Sequence, residues 1–333
     1  MDSLSQIVLG ASVAAVIAPA GHRRRALLIG AALGTLPDLD VLIHFGDPVR
    51  EYTMHRGFSH SLLVLPWVAL ALWGLTLAVS PLMRAQRWRW LLAFELALLT
   101  HPLLDAMTVY GTQLWWPLQS PPVMIGSIFI IDPLYTLWLL IGVVAAWFLR
   151  EKARAGLWLA MGLLLSTGYL GWTVFAQQHI QRAMRADQAQ RGVSDARILV
   201  TPTPLNSIAW RIVVMRGNGD YLEGWYSFAA PARTAFMQPY PGNRELIEPL
   251  ADNWNVQRLA WFSSDWYGVE QIDGRVVIED LRMGEEGQYV FRFAVGEQRD
   301  GDTVAIAPEA LAWPVRLDRA TFQKLWRRIR TGS

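Results

Sequence analysis

Apolar residues form long runs in the first half of the chain and only short runs in the second half. A helix needs about 20 apolar residues to cross a hydrocarbon layer about 30 Å thick. Three runs reach this length plainly: residues 61–82, 127–149 and 156–176. Three more approach it but contain polar residues: residues 4–20, 26–43 and 90–107. The pattern predicts an α-helical membrane bundle of about six membrane-embedded helices within residues 1–180.

The pattern changes after residue 180, where apolar positions begin to alternate with polar ones. Runs such as RILVTPTP, SIAWRIVVMR and RVVIEDL are rich in β-branched and aromatic residues, and turn formers such as Asn218-Gly219 separate them. Residues 181–333 are therefore predicted to form a small antiparallel β-rich soluble domain that ends in the helical segment DRATFQKLWRRIRT. This region contains no phosphate loop, nucleophile elbow or dinucleotide fingerprint.

Basic residues follow alternate apolar runs, at residues 23–25, 84–89 and 150–154. Loops rich in Lys and Arg stay on the cytoplasmic side of a membrane. This distribution predicts a multi-pass protein whose histidine-containing connections and C-terminal domain are extracytoplasmic.

Composition narrows the possible chemistry. Of the 333 residues, 53% are hydrophobic and 17% are charged, whereas soluble domains carry about 25% charged residues. The net charge of +2 is too small to indicate a nucleic-acid partner. Cysteine is absent, which excludes disulfides and thiolate ligands. Any metal must be held by histidine, carboxylate or backbone oxygen.

Three polar clusters interrupt the apolar runs of residues 1–105. One is an Asp pair behind a proline, one is a His pair, and one is a His-Asp pair spaced four apart, which places both members on one helix face. A divalent cation would neutralise these carboxylates, and histidine with carboxylate suits zinc best, with manganese or iron as alternatives; such sites often hold two ions. The expected metal ligands are Asp38, Asp40, His55, His60, His101 and Asp105.

Arg56 stands between the two histidines of HRGFSHS. It can bind a phosphate or carboxylate of a substrate, or it can pair with Asp38, Asp40 or Glu51. The sequence leaves both roles open.

The stretches MDSLSQIVLGA, LPDLD, HRGFSHS and HPLLDAMTVYGTQLWWP resemble the YdjM-like family of inner-membrane metal-dependent hydrolases, in the branch with a C-terminal β-rich domain. A more distant likeness is to zinc-dependent phospholipase C. The resemblance implies a bacterial inner-membrane location and the same six metal ligands. Gln6 departs from the pattern, because many relatives have a histidine there, so one ligand is lost or replaced by an amide.

Together these features predict a membrane hydrolase with its site at the extracytoplasmic membrane edge. A metal-activated water would attack a lipid phosphoester at the bilayer surface, with Asp38 or Asp40 (or Asp105, if it is not fully committed to the metal) as general base and Arg56 as a further catalytic residue. The alternative is a non-catalytic, metal-stabilised membrane scaffold or transporter, with the β domain binding an unidentified protein partner.

Overall fold

The computed structural model describes residues 1–150, 152–193, 196–230, 237–313 and 319–331. The chain divides into two compact units. The first unit consists of Met1–Ile43, Arg56–Ile125 and Ile130–Thr173, and the second of His44–His55, Gly126–Phe129 and Val174–Ser333. Asp318, the first residue of the predicted C-terminal helix, lies outside the described residues.

In chain order, the helices up to residue 190 are α1 Ser3–Ile17, α2 Arg23–Thr35, α3 Pro48–Met54, α4 Leu65–Val79, α5 Pro81–Arg84, α6 Arg87–Ala106, α7 Pro133–Leu149 and α8 Ala153–Gln190. Most helices before residue 150 have fewer than 18 residues, whereas α6 has 20 and α8 has 38. Short 3-10 segments join some of them, at Ala20–His22, Leu36–Leu42 and Phe58–His60.

The prediction of about six membrane-embedded helices is wrong. Among the described helices, only α8 is long and apolar enough to cross a membrane. If the bent pair Pro48–His60 and Leu65–Val79 is taken as a single broken span, the number of candidate spans is two. A helix of 15 residues, such as α1 or α4, rises only about 22 Å, less than the hydrocarbon thickness of about 30 Å.

Helix termini explain why the apolar runs overstate the spans. The run 26–43 is helical only to Thr35, because the chain tightens into a 3-10 segment at Pro37. The run 127–149 becomes helical only at Pro133, where the carboxylate of Asp132 accepts hydrogen bonds from the first turn of α7.

Glycines allow α1 and α2 to pack with their backbones in contact. Gly30 and Gly34 are four residues apart on α2, and both face Gly10 of α1. A Cβ at Gly10 would lie 2.9 Å from Cα of Gly34, and a Cβ at Gly30 would collide with the Gly10 carbonyl oxygen. Small residues at this spacing permit the closest helix crossings. The crossing brings the chain around Gln6 of α1 against Gly34.

The second unit contains two four-stranded antiparallel sheets. Their strands are β1 Arg197–Pro202, β2 Ala209–Met215, β3 Tyr221–Ser227, β4 Gln238–Tyr240, β5 Tyr267–Ile272, β6 Arg275–Asp280, β7 Arg292–Arg299 and β8 Asp302–Ala310. The orders are β1-β2-β3-β4 and β5-β6-β7-β8, as expected for successive hairpins. A 3-10 segment Arg244–Leu250 and helix α9 Trp254–Phe262 follow β4, and helix α10 Arg319–Thr331 follows β8.

The last turns of α8 belong to the second unit and cover the first sheet. Ala176, Ile180 and Met184 pack against a buried face that includes Trp210 and Ile212. These three apolar residues recur every four positions and so lie on one face of the helix. The same helix is therefore both a candidate membrane span and, at its C-terminal end, part of the core of the second unit.

The close crossing of α1 and α2 yields a first prediction. We expect Gly30→Ala to lower the free energy of unfolding by about 1–3 kcal/mol, because the added Cβ forces the two backbones apart. The matched control is Gly74→Ala in α4, where no atom lies within 4 Å of the added Cβ. Unfolding of the purified protein in detergent, followed by tryptophan fluorescence, compares the two variants. Equal stability of both variants would contradict this account of the crossing.

Candidate metal centre

Four side chains from three separate segments meet inside the first unit. Asp38 lies on the 3-10 segment Leu36–Leu42, and His60 ends the 3-10 segment Phe58–His60. His101 and Asp105 lie one turn apart on α6. These four are the group of His and carboxylate residues among the described residues that could hold a metal ion.

The four ligand atoms lie close to one another. The Nε2 atoms of His60 and His101 are 3.1 Å apart. Oδ1 of Asp38 lies 3.3 Å from the Nε2 of His60 and 3.4 Å from that of His101. Oδ2 of Asp105 lies 3.2 Å and 3.5 Å from the same two nitrogens.

Five of the six spacings, at 3.1–3.5 Å, are close to those of a tetrahedral metal site. Zinc binds histidine nitrogen and carboxylate oxygen at about 2.0–2.1 Å, which gives a regular tetrahedron with edges of about 3.3–3.4 Å. All four ligand atoms lie within 4.8 Å of one another. Oδ2 of Asp105 is buried and accepts no hydrogen bond of normal geometry from a described residue. The arrangement therefore leaves an electron-rich space for one small cation.

Hydrogen bonds on the far side of each imidazole orient its Nε2 toward this space. Nδ1 of His101 lies 2.7 Å from the carbonyl oxygen of Gly34, so it must donate its proton there. Nδ1 of His60 lies 2.9 Å from Oγ of Ser59, whose hydroxyl donates to Oδ2 of Asp40 at 2.6 Å. The single proton of that hydroxyl is thus used, and Nδ1 of His60 must be the donor to Oγ. Both Nε2 atoms therefore face the common space, where a metal would bind them.

The other oxygen of Asp105 is held from α1. Nε2 of Gln6 donates to Oδ1 of Asp105 at 2.9 Å and to the His101 carbonyl at 3.3 Å, and the amino group of Met1 also donates to Oδ1. Gln6 therefore orients a carboxylate of the cluster through its amide nitrogen.

Electrostatics show that the space attracts positive charge. Burial alone would raise the pKa of Asp38, but hydrogen bonds from His101 and His60 lower it below its ordinary value. Burial alone would lower the pKa of His101, yet hydrogen bonds and the charges of Asp105 and Asp38 raise it to about 9. A proton on Nε2 of His101 and a metal ion are thus alternative occupants of the same space.

Burial differs sharply among the four donors. The side chains of His60, His101 and Asp105 are fully buried, whereas that of Asp38 is 23% exposed. Access from outside the protein is therefore on the side of Asp38.

The structure places the remaining sequence candidates around this group. Asp40 is buried, and its Oδ2 accepts from the backbone N–H of Arg56 at 3.0 Å as well as from Ser59. Asp40 thus lies behind His60, with Oδ2 3.8 Å from its Nδ1. His55 lies in the other unit and is not in the four-donor group.

Arg56 lies next to the cluster. Its Nε is 3.2 Å from Oδ2 of Asp105, and its Nη1 donates to Oγ1 of Thr108 at 3.3 Å. The guanidinium carbon lies 4.8 Å from the ring centre of Tyr110. The side chain of Arg56 thus pairs with Asp105, whereas the partners considered from the sequence were Asp38, Asp40 and Glu51.

Sequence reasoning missed the supporting roles of Gly34 and Ser59. The Gly30-x-x-x-Gly34 spacing was a signal of close helix approach, but it does not tell which carbonyl an imidazole will reach.

Comparison with known proteins confirms the resemblance to the YdjM family, and none of the matches supports the likeness to phospholipase C. The family described as YdjM inner membrane protein matches residues 1–180. The uncharacterized protein YfhP of Bacillus subtilis (strain 168) is 25% identical over 356 aligned residues, which cover the whole of both chains. No solved structure matches the chain.

The hydroxyl between Asp40 and His60 yields the second prediction. We expect Ser59→Ala to weaken binding of a divalent probe such as Co²⁺ by about 10–100-fold, because Nδ1 of His60 loses the partner that orients the ring. The matched control is Ser12→Ala, since Ser12 is buried in α1 and its Oγ has no hydrogen-bond partner among the described residues. Competition titration with a chromophoric chelator measures both affinities. The proposed orientation of His60 is refuted if both variants bind as tightly as the unmodified protein.

Proposed function

The chain belongs to the family of YdjM inner membrane proteins, and we propose that it is a metal-dependent hydrolase whose metal is held by His60, His101 and Asp105. The observation that carries the proposal is the unequal access to the four converging donors. Three are fully buried, and the fourth, Asp38, is partly exposed. Catalytic metal sites use three protein ligands and keep one position for water or substrate.

Zinc is the metal that the donor set favours. Two imidazoles and one carboxylate, with spacings suited to a tetrahedron, are a known ligand set of catalytic zinc. The absence of cysteine from the chain leaves manganese and iron as the alternatives. A bound divalent metal would lower the pKa of its water from about 15.7 to roughly 7 and so make hydroxide available as a nucleophile.

Asp38 is the proposed general base. Its side chain is 23% exposed and lies on the accessible side of the group. A carboxylate there can accept a proton from the attacking water and later return it to the leaving group. Asp40 is assigned a positioning role, because its Oδ2 is engaged by Ser59 and by the backbone of Arg56.

Arg56 has a proposed electrostatic role. The guanidinium beside Oδ2 of Asp105 offsets part of the negative charge of the two carboxylates. The four-donor group would therefore repel an anionic substrate less strongly. Arg56 would thus have both roles that the sequence left open: it pairs with a carboxylate, and its positive charge favours a substrate phosphate at the accessible side.

The accessible side also supports a lipid-like substrate. The residues that follow Asp38 expose apolar side chains: Leu39, Val41, Leu42 and Ile43 are 42–75% exposed. Apolar side chains beside a phosphate-attracting centre suit a molecule with both an acyl chain and a phosphoester. We therefore propose a lipid phosphoester as the substrate class.

A non-catalytic role remains the second candidate, and one observation favours it. Structural metal sites use four protein ligands, and four donors converge here. If Asp38 binds the metal permanently, the site is closed, the metal stabilises the fold, and the second unit acts as a partner-binding module.

We further propose that the residues following α8 are extracytoplasmic. Arg150, Lys152 and Arg154 stand at the start of α8, and basic residues beside a span stay on the cytoplasmic side. Exposed apolar residues along α8, such as Leu157 and Leu164, suit contact with lipid.

The third prediction separates the two functions. We expect the purified protein to contain about one zinc ion per chain and to release phosphate or a phosphorylated headgroup from short-chain phospholipids, measured by ³¹P NMR. Asp38→Asn should retain the metal while the turnover rate falls about 10²–10⁴-fold, because the general base is lost. The matched control is Asp252→Asn, which alters an exposed carboxylate outside the group.

Elemental analysis of the same preparations completes this test. His101→Ala should lose the metal as well as the activity, because it removes a ligand. If Asp38→Asn loses the metal and stability, and the unmodified protein hydrolyses none of the lipids, the scaffold function is correct. A protein that binds neither zinc, manganese nor iron excludes both functions.

The fourth prediction concerns orientation. Cysteine introduced at Arg216, on an exposed turn, should react with a membrane-impermeant maleimide added outside intact cells, whereas cysteine at Lys152 should react only after lysis. The chain has no native cysteine, so each label is unique. The reverse labelling pattern would place the second region in the cytoplasm.

A further inference from the structure

Helix α10 has one face fixed to the second unit. Nζ of Lys324 donates to Oε1 of Glu285 at 2.6 Å, and Arg328 donates to the other oxygen of that carboxylate. The guanidinium carbon of Arg328 also lies 4.1 Å from the ring centre of Trp225 on β3. These contacts fix which side of α10 faces outward.

The outward face combines aromatic and basic side chains. Phe322 and Trp326 are one turn apart, and they are 56% and 61% exposed. Exposed arginines lie on the same side, since residues three, four, seven, eight and eleven apart share a helix face. The full outer face is Arg319, Phe322, Gln323, Trp326, Arg327 and Arg330.

We infer that this outer face of α10 binds the surface of an anionic lipid bilayer. Tryptophan and phenylalanine rings enter the boundary between headgroups and acyl chains, and flanking arginines bind lipid phosphates. Three of these six residues are arginines and none is acidic, so the face complements the charge of anionic headgroups. Membership of an inner-membrane family places such a bilayer next to the chain.

Charge complementarity determines the type of bilayer. Each basic residue close to an anionic surface strengthens binding about fivefold, so three arginines contribute on the order of 100-fold. Aromatic insertion alone would not distinguish anionic from neutral lipid. The face is therefore selective for membranes rich in acidic phospholipid.

Spin labelling tests this inference on the full chain. Gln323→Cys places a unique label on the outer face, because the chain has no native cysteine, and it leaves both aromatic residues intact. The protein is reconstituted in nanodiscs of phosphatidylcholine alone or of phosphatidylcholine with phosphatidylglycerol. In the anionic discs we expect the label to lie about 5–10 Å below the phosphates, accessible to oxygen and protected from a water-soluble nickel reagent. In the neutral discs we expect it to remain in water.

Charge variants complete the test. Replacing Arg319, Arg327 and Arg330 together by Gln should return the label to water in anionic discs, lowering the docking equilibrium constant on the order of 100-fold. The matched control replaces the exposed Arg191, Arg216 and Arg299, outside α10, by Gln and should leave the depth unchanged. High salt should release the label without any substitution, which tests the charge contribution even if a variant folds poorly.

Three results would overturn the inference. A label that stays in water in both kinds of disc shows no membrane contact. One that is immersed equally in both shows no recognition of anionic lipid. One that is shielded from oxygen and nickel alike, whatever the lipid, shows that protein, such as a second copy of the chain, covers the face.

Discussion

The centre of the first unit depends on one electrostatic constraint. Two imidazole nitrogens and two carboxylate oxygens point into the same buried space, with the nitrogens only 3.1 Å apart. Removing an ionised carboxylate from water costs several kcal/mol unless positive charge compensates it. The nearby guanidinium of Arg56 compensates in part. The amino group of Met1 also donates to Asp105, and a proton or a metal ion among the four donors would compensate the charge of Asp38.

Helix packing holds the donors in that arrangement. The carbonyl of Gly34 orients His101, and Gln6 orients Asp105. Both supports lie at the crossing of α1 and α2, where a Cβ at Gly34 would collide with the carbonyl oxygen of Gln6. The glycines that let the helices approach therefore also bring the two supports to the donors. Packing and chemistry are coupled here, because a small separation of the helices would move both hydrogen-bond partners.

The sequence predicts local relations better than long-range ones. The spacing of His101 and Asp105 places them on one helix face, and the structure has them so. Sequence proximity joined His55 to His60, but the chain turns at Arg56, whose φ is +60°, and His55 falls in the other unit. Apolar runs overstated the membrane spans because hydropathy does not register a helix end at Pro37 or a cap at Asp132. Alternating runs indicated strands, but their partition into two sheets depends on tertiary pairing.

The segment that carries Asp38 explains how the group can be both buried and accessible. A 3-10 segment has poorer hydrogen-bond geometry than an α-helix and tolerates movement more easily. His101 and Asp105 are on α6, a helix of 20 residues, and are held rigidly. The single donor with solvent access is thus also the one on the more adaptable backbone. In the proposed function, water and substrate would reach the group on that same side, beside Leu39 and Val41. A hydrolytic metal centre would need this combination, because three donors stay fixed while the fourth position exchanges.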